Sequence, residues 1–371
     1  MLGNKIGQVN TDSGKDLDRA LQFTKEILPC VSRTFDLAIK FLPRRLGRPV
    51  GLAYLLCRIA DTYEDSSILS PGLKRARLIE YADLLENPDF NNRTLIGELE
   101  SAFPNSSGDP QSEIVDAGDP NHILVNNIGQ VLLAVESMPA SFKRHIFPRV
   151  REMALGMAQY TALDGGLNDP NLSRSNVVFL KDEEDWDRYC YYVAGTVGHM
   201  LTDIFSDYAD FSENTRQRLH KLGCSFGLGL QKVNVLKDAV VDTNRGICFL
   251  PKTLVERYGI YFDEKSQAYL HGDTAGLVRK IIEICRRHFQ DALEYIKVIP
   301  VKYLGLRMFL IVPVMLAAGT LRLFSEYPQC LFEKGDFKLP RNEVWSLIRR
   351  SSFCKYSNRL LLSAFNQIYP A

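Results

Sequence analysis

The sequence predicts an all-α fold in which a single domain, residues 1–371, forms a helical bundle around a central cavity. Apolar side chains recur at helical spacing along nearly the whole chain. There is no strand-like alternation of useful length, no internal repeat and no linker of distinctive composition. Apolar residues make up 46% of the chain, the usual share for a globular protein. Length alone allows one to three domains. We infer a single domain because no segment has the composition of a linker between domains.

The expected helices are separated by short turns and by two longer polar segments. Residues 104–122 are predicted to form a surface loop because Ser, Asp, Gly and Pro dominate them. Residues 163–176 are rich in Gly, Asn and Pro and form either a plain connector or a mobile flap over the cavity. The expected helices are 15–28, 31–42, 47–66, 72–86, 122–137, 139–163, 182–208, 213–242, 274–297, 300–325 and 341–367.

Composition and charge bound the class of function. A formal net charge of +1 gives no support for nucleic-acid binding. Eight cysteines without CxxC or other metal-ligand spacing favour free thiols in a reducing compartment, so we expect a cytoplasmic protein. The N-terminal residues lack the apolar core of a signal peptide. The longest apolar run, 309–318, is too short to cross a bilayer, so no transmembrane segment is expected.

The stretch 229–242 carries the most informative pattern. Wound as a helix, it places four oxygen-bearing side chains within an arc of about 80°. Most of the remaining circumference is apolar, which predicts a buried helix whose narrow polar strip lines a wet cavity. Burying carboxylates without partners costs several kcal/mol each, so a cation should face them. The strip consists of Gln231, Asn234, Asp238 and Asp242.

A second helix, 51–66, repeats this arrangement. Its polar strip spans about 60° and holds two carboxylates one turn apart, which repel each other unless a metal or an arginine lies between them. Oxygen ligands without nearby His or Cys favour Mg²⁺, which proteins usually share with substrate phosphates. Two such helices facing each other predict a magnesium–diphosphate site, although either strip taken singly is more often a solvated face. The strip consists of Tyr54, Arg58, Asp61 and Asp65, with Glu64 one step to the side.

Several motifs together resemble those of one enzyme family. They are VSRTF (31–35), DTYED (61–65), YCYYVAG (189–195) and NVLKDAVVD (234–242), followed by FLIVPVMLAAGTL (309–321) and DFKLPRNEV (336–344). In this order they look like the head-to-head trans-isoprenyl diphosphate synthases, which are the squalene, dehydrosqualene and phytoene synthases. The resemblance spans roughly residues 15–350 and leans toward the bacterial squalene synthases. It implies the isoprenoid-synthase helical bundle.

The resemblance also implies a reaction. Mg²⁺-dependent head-to-head condensation of two farnesyl diphosphates would give presqualene diphosphate, and reduction by NADPH would then give squalene. NADPH is implied by the resemblance alone, because the chain has no GxGxxG fingerprint. A monomer or weak homodimer is expected, with a peripheral membrane contact for product release. The implied metal ligands are Asp61, Glu64, Asp65, Asn234, Asp238 and Asp242.

Further roles follow from the same resemblance. Tyr189 would handle the proton lost next to a carbocation, with Tyr54 and Arg58 as further catalytic candidates. Without the resemblance, a core tyrosine with a capped hydroxyl is the better interpretation of Tyr189. Gly195 and Gly198 would let neighbouring helices approach closely. The implied substrate-binding residues are Arg33, Phe35, Arg58, Leu201, Gln231, Lys237, Arg245, Phe309 and Lys338.

One position departs from the family pattern. Relatives usually place an arginine where this chain has Ile247, after the last aspartate of the second motif. Either Arg245 substitutes from a shifted loop or the reductive half-reaction is altered. Three alternatives therefore stay open: a dehydrosqualene, phytoene or hydroxysqualene synthase working without NADPH, a terpene synthase using one prenyl diphosphate, and a non-catalytic relative acting as an assembly factor.

Overall fold

Helices make up nearly all the regular structure of the chain, which confirms the all-α prediction. The computed structural model describes residues 11–86, 92–104, 118–161, 177–263, 268–270, 272–333, 335 and 337–369. The helices are α1 (Thr11–Val31), α2 (Arg33–Ile39), α3 (Arg44–Asp65), α4 (Pro71–Glu86), α5 (Arg93–Glu100), α6 (Pro120–Val125), α7 (Ile128–Glu136), α8 (Ala140–Tyr160), α9 (Glu183–Cys190), α10 (Thr196–Ala209), α11 (Glu213–Asn244), α12 (Lys252–Arg257), α13 (Thr274–Val298), α14 (Leu304–Glu326), α15 (Cys330–Glu333), α16 (Arg341–Cys354) and α17 (Asn358–Ile368).

Several of these helices begin at side-chain caps. Ser32, Asp182 and Ser212 each accept a hydrogen bond from a backbone amide in the first turn of α2, α9 and α11. Such a cap satisfies one of the amides that a helix start leaves unpaired. Between α9 and α10 the chain keeps its helical path through a π-helical turn, Tyr191–Gly195. The predicted helix 182–208 is therefore one continuous rod with a local change of pitch.

Four short strands were not expected from the sequence. β1 (Val178–Leu180) pairs in parallel with β2 (Ile247–Pro251), and β3 (Tyr261–Asp263) pairs antiparallel with β4 (Ala268–Leu270). Strands this short carry too few residues for an alternating pattern to stand out. The β1–β2 pair matters for the site because it fixes the chain that follows α11.

Two expected helices are each divided in the structure. The predicted 122–137 is interrupted at Asn126 and Asn127, and the predicted 341–367 is interrupted at 355–357, where Ser357 caps α17. The short helices α5, α12 and α15 were missed. The expected surface loop 104–122 gives way to α6 at Pro120, while its central part, 105–117, and the whole of the expected flap 163–176 lie outside the described residues.

The centre of the bundle is built from α10, α11, α13 and α14, which pack side by side. Close approach depends on glycine, as predicted. A Cβ on Gly198 would lie 2.1 Å from the Gly223 carbonyl oxygen of α11, and one on Gly195 would lie 3.1 Å from a methyl carbon of Leu228 on the same helix. Only glycine allows two helix backbones to come this near. The confirmed contact brings the polar strip of α11 toward the middle of the fold.

Helix α14 is the most apolar of the long helices. Its most apolar 18 residues have a mean hydropathy of 1.9, so the helix is long and apolar enough to cross a membrane. It was not selected from the sequence because polar residues interrupt its apolar run. In the fold, 72% of these 18 residues are buried. Arg307 on this helix is fully buried and donates to the carbonyl oxygens of Ile296, Ile299 and Lys355. The helix thus forms part of the core.

Candidate active site

The polar strips of α3 and α11 face each other across one cavity of about 480 Å³, which we call the carboxylate cavity. Asp61 and Asp65 come from the end of α3, and Asp238 and Asp242 from the end of α11. This is the juxtaposition that the two sequence patterns predicted. The predicted residues that line the cavity are Arg58, Asp61, Glu64, Asp65, Tyr189, Gln231, Asn234, Lys237, Asp238, Asp242 and Arg245.

Arg245 lies between the two carboxylate helices. Its Nη1 donates to the backbone carbonyl of Asp65 at 2.6 Å and to Asp65 Oδ1 at 2.9 Å, and its Nη2 donates to Asp242 Oδ1. Burial works against its charge, but the carboxylates of Asp65 and Asp242 raise the pKa of Arg245 above its usual value. The cation required opposite the aspartates is thus in part an arginine, supplied by the residue that follows α11.

Burial of the polar strips is uneven. The side chain of Asp242 is 7% exposed and that of Asp61 is 26% exposed, whereas Asp65 is 46% and Asp238 is 40% exposed. Asn234 is also exposed. The buried-helix prediction therefore holds for most of the apolar residues of 229–242, although Val241 is 41% exposed, while the polar strip itself opens to solvent. We infer that the carboxylate cavity is open to solvent on the side of these residues, and we call this opening the mouth.

The deeper carboxyl groups hold their protons more tightly than usual. Burial raises the pKa of Asp61 to about 7, although Arg58 opposes this, and burial raises the pKa of Asp242 to about 7 against the influence of Arg245. The pKa of Glu64 lies well above its usual value because of burial and the neighbouring charge of Asp65. The protein's own cations therefore do not fully neutralise this cluster.

The chemistry of the donors fits a hard divalent cation. The cavity is lined by carboxylate and amide oxygens, with neither His nor Cys among its described lining residues. Glu64 Oε1 is buried without a hydrogen-bond partner. Among the residues that the structure describes, no group of three or more His, Cys, Asp or Glu side chains is gathered closely enough to hold a metal ion. The metal-ligand assignment stays a prediction.

Two further basic residues flank the mouth. Arg58 Nη1 lies 3.6 Å from Asp61 Oδ2, and Arg58 Nε donates to Asn121 Oδ1 at 2.9 Å. Lys237 Nζ donates to Asn234 Oδ1 at 3.3 Å. Asn121 was missed because it lies in a stretch that the sequence assigned to a loop, where no helical pattern pointed to it. Its contact fixes the Arg58 guanidinium at the edge of the cavity.

Tyr189 reaches the carboxylate cavity from the end of α9. Its ring stacks on Phe249 with centroids 4.3 Å apart and meets Tyr160 edge-on at 5.2 Å. The hydroxyl donates a long hydrogen bond to Glu64 Oε2 at 3.5 Å. Burial, followed by the charge of Glu64, raises the pKa of Tyr189 well above its usual value, so the phenol stays protonated. Phe249 belongs to β2, and a sequence without a visible strand gave no reason to select it.

An apolar chamber of about 230 Å³ adjoins the carboxylate cavity. Its walls come from α2, α3, α8, α10, α11, α13 and α14 and from the π-helical turn. Asp61, Gln231 and Asn234 line both spaces, so the polar mouth opens directly into the chamber. Burial raises the pKa of Tyr54 on this wall. The predicted residues found on the chamber wall are Phe35, Tyr54, Arg58, Asp61, Leu201, Gln231, Asn234 and Phe309.

Two predicted site residues, Arg33 and Lys338, are not among the described lining residues of either cavity. The side chain of Arg33, on α2, lies outside the described part of the chain. Lys338 is exposed and is absent from the described lining of both cavities. Ile247 is buried in β2, beside a small pocket that it shares with Glu64 and Arg245. The guanidinium near the mouth therefore comes from residue 245 and not from residue 247.

A polar mouth above an apolar chamber suits a molecule with a charged head and a long apolar tail. The chain matches the family model described as squalene/phytoene synthase over residues 28–343. It is 23% identical over 328 residues to the squalene synthase of Cyberlindnera jadinii, a match that takes in 88% of this chain and 66% of that protein. The chain thus spans just under two thirds of that relative's length.

Two solved structures are similar to this fold. The first is a ligand complex of TcSQS, with a TM-score of 0.71 and 21% identity, covering 95% of this chain and 90% of that one. The second is a dehydrosqualene synthase in complex with a ligand, with a TM-score of 0.57 and 18% identity, covering 93% and 99% of the two chains. At these identities the likeness shows the fold. The chain belongs to the squalene/phytoene synthase family, a family of prenyltransferases, which confirms the resemblance seen in its motifs.

Proposed function

We propose that this chain joins two farnesyl diphosphates head to head through presqualene diphosphate and carries the product on to squalene. One observation carries the proposal: the carboxylate cavity and the apolar chamber share Arg58, Asp61, Val193, Gln231 and Asn234. A diphosphate held at the mouth would therefore direct its prenyl tail into the chamber. The names of the curated relatives support the same substrate class.

The carboxylate cavity would bind the two diphosphates. Mg²⁺, held by Asp61, Asp65, Asn234, Asp238 and Asp242, would supply positive charge to the departing diphosphate. Charge-assisted hydrogen bonds from the guanidinium groups of Arg58 and Arg245 would hold its oxygens. In the absence of substrate Arg245 is engaged by Asp65 and Asp242, so binding a diphosphate would exchange carboxylate partners for phosphate oxygens.

The apolar chamber would protect the cationic intermediates. Loss of diphosphate from the first substrate leaves an allyl cation, which the alkene of the second attacks to form the new carbon–carbon bond. Loss of a proton then closes the cyclopropane. Tyr189 would relay that proton to the released diphosphate, because its protonated hydroxyl lies at the boundary of the cavity. Phe309 on the chamber wall would stabilise positive charge through its ring face and exclude water.

The second half-reaction is proposed from the relatives alone. NADPH would supply hydride to the rearranged cation, but the chain has no GxGxxG fingerprint and has Ile247 where relatives place arginine. No residue of this chain is therefore assigned to binding NADPH. The competing products are dehydrosqualene, phytoene and hydroxysqualene. Dehydrosqualene stays among them because one of the structures with a similar fold is a dehydrosqualene synthase.

Product analysis tests the proposal. The purified chain is incubated with farnesyl diphosphate and Mg²⁺, with and without NADPH, and the products are identified by mass spectrometry. Presqualene diphosphate without NADPH and squalene with it are expected. A cyclic or linear terpene formed from a single prenyl diphosphate would indicate a terpene synthase, and no turnover of any prenyl diphosphate would indicate a non-catalytic relative.

Matched variants test the site. Asp61→Asn and Asp238→Asn preserve side-chain shape and should each abolish turnover while leaving the circular dichroism spectrum unchanged. Asp83→Asn, on the exposed face of α4, should retain the activity of the unmodified chain. Full turnover in either of the first two variants would refute the metal assignment.

A further inference from the structure

The start of α3, the start of α8 and the end of α10 border a further cavity of about 520 Å³, which we call the arginine cavity. A volume of this size is within the usual range for small-molecule sites. The described residues that line it are shared neither with the carboxylate cavity nor with the apolar chamber. The arginine cavity is therefore a separate candidate site.

Three arginines of α3 line this cavity. Arg44, Arg45 and Arg48 lie within an arc of about 100° in the first two turns of the helix. All three side chains are exposed, and within the part of the chain that the structure describes none of them forms an ion pair with a carboxylate. Ser137 accepts a hydrogen bond from Nη2 of Arg48, which holds that guanidinium at the cavity wall. Three positive charges thus meet here without carboxylate partners.

Asp207 is the one carboxylate among the described lining residues, and it is already neutralised by other groups. Its Oδ2 accepts from Arg144 at 2.6 Å and lies 2.8 Å from His145 Nε2, while its Oδ1 accepts from Arg216 at 2.5 Å. Burial opposes ionisation, but these hydrogen bonds hold the pKa of Asp207 below its usual value. Asp207 is therefore not the counter-ion of the α3 arginines.

Two long helices begin at the arginine cavity without a compensating negative charge. α3 has 22 residues and α8 has 21, and neither is capped by a side chain or has an acidic residue in its first turn. The positive ends of both helix dipoles therefore add to the charge of the arginines. Because arginine in the first turn of a helix opposes the dipole, Arg44 and Arg45 do not serve the stability of α3, and an external anion accounts for them better.

The opposite wall of the cavity is apolar. Phe142 of α8 and Tyr208 of α10 are half-buried there, and the buried side chains of Met138 and Ile204 also line the wall. An inorganic anion alone would leave this surface in contact with water. A diphosphate joined to an apolar or aromatic group would fill both parts of the cavity.

The arginine cavity shares walls with the apolar chamber. Pro49 lines the arginine cavity, and the next residue, Val50, lines the chamber. On α10, Ile204 lines the arginine cavity and Leu201, one turn earlier, lines the chamber. A ligand in the arginine cavity would therefore lie against the outer side of two chamber walls.

We propose that the arginine cavity binds a soluble organic diphosphate, with its phosphate groups on the three arginines of α3 and its organic group against Phe142 and Tyr208. Each guanidinium pairs with phosphate oxygens through two parallel N–H donors, and the first amides of α8 supply further donors. The aspartates of the carboxylate cavity lie about 20 Å further along α3, so this ligand binds without their metal ion. The proposal does not depend on the proposed function.

Calorimetric titration of the full chain tests the site. The probes are ADP and inorganic pyrophosphate, added in EDTA at low salt so that binding through Mg²⁺ in the carboxylate cavity is excluded. We expect each probe to bind one to one, ADP more tightly than pyrophosphate, and salt to weaken both. Arg44→Ser combined with Arg48→Ser should weaken both about a hundredfold, about tenfold for each guanidinium. Arg257→Ser, on α12 and 60% exposed, is the matched control and should bind as the unmodified chain does.

Phe142→Ala separates the two parts of the ligand. It should weaken the binding of ADP about tenfold and leave that of pyrophosphate unchanged, and the unchanged affinity shows that the variant is folded. Arg245→Gln, in the carboxylate cavity, should leave the binding of both probes unchanged. Four results would each overturn the proposal: no binding of either probe in EDTA, equal affinities in the double arginine variant and in Arg257→Ser, loss of binding in Arg245→Gln, or binding to phosphatidylglycerol vesicles without binding of ADP.

Discussion

Arg245 is bonded to Asp65 twice, through the Oδ1 atom at 2.9 Å and through the backbone carbonyl at 2.6 Å. The residue that follows α11 thereby bonds Asp65, the last residue of α3. Since Nη2 of the same guanidinium also bonds Asp242, one planar group sets the spacing of the two helices at the mouth.

Replacing this guanidinium should impair catalysis. In Arg245→Gln, Asp65 and Asp242 lose their shared cation, and the proposed diphosphate site loses a charged donor. We expect kcat to fall about a hundredfold, the typical effect of removing one preorganised donor. Steady-state rates with farnesyl diphosphate measure this. Arg257→Gln, on α12 and 60% exposed, should leave the rate unchanged, and equal rates for the two variants would contradict the role of Arg245.

Removing the hydroxyl of Tyr189 should affect turnover more than stability. Tyr189→Phe keeps the ring that stacks on Phe249. We expect turnover to fall about a hundredfold, the lower range for loss of an acid–base group. Tyr63→Phe is the matched change, because that buried hydroxyl donates to the Leu99 carbonyl, away from both cavities. It should cost about 1 kcal/mol of unfolding free energy and little activity. If Tyr189→Phe instead lost stability and kept its turnover, Tyr189 would have a purely structural role.

Two glycine-to-alanine changes should have opposite effects on stability. Gly198→Ala forces a methyl group to within 2.1 Å of the Gly223 carbonyl, so α10 and α11 must separate. Overpacking of this kind costs about 1–3 kcal/mol. At Gly97, in α5, nothing lies within 4 Å of an added Cβ, so alanine should stabilise by up to about 1 kcal/mol through helix propensity. Denaturant titration of both variants measures the difference, and the same sign in both would be inconsistent with the packing described.

The stability of the protein should decline on acidification through His288. Burial, with help from Lys232, lowers the pKa of His288 to about 4, while Ser225 bonds its Nδ1 at 2.9 Å and also donates to Asp291. The unfolded chain takes up this proton near pH 6.5 and the folded chain only near pH 4. The contribution is therefore complete above pH 6.5 and is lost as the pH falls toward 4, by at most about 3 kcal/mol.

His288→Gln tests that assignment. The variant has no imidazole to protonate, so its unfolding free energy should fall less steeply between pH 6.5 and pH 4 than that of the unmodified chain. Denaturant titrations at several pH values give the two slopes. Identical slopes would show that another group carries the acid sensitivity.

The long helices and the facing carboxylates could be predicted because their cause is local. Asp61 and Asp65 on α3, and Asp238 and Asp242 on α11, share faces by the geometry of the helix alone, and the apolar residues around them require burial. The prediction that the two strips meet depended on the same local reasoning, since each strip carries two carboxylates that a shared cation would neutralise. The family match then confirmed the bundle.

The missed features arise from contacts between distant parts of the chain. Phe249 stacks on Tyr189 because β2 pairs with β1, and the two strands lie far apart in sequence. Asn121 bonds Arg58 across 63 positions. The sequence suggested Arg245 as a substitute for the arginine that relatives have at the position of Ile247. It did not show where the side chain lies, because this depends on the turn that joins α11 to β2. No periodicity within a single helix contains this information.

The π-helical turn at Tyr191–Gly195 determines which face of α10 lines the apolar chamber. Such a turn holds one residue more than an α-helical path of the same rise, and each residue rotates a helix by about 100°. Deleting one residue here would rotate α10 about its axis, so that Leu201 would leave the wall of the apolar chamber while Tyr189 stayed in place. The additional residue in this turn thus sets which face α10 turns toward the chamber, and its deletion would also move Gly198 away from its close contact with Gly223 of α11.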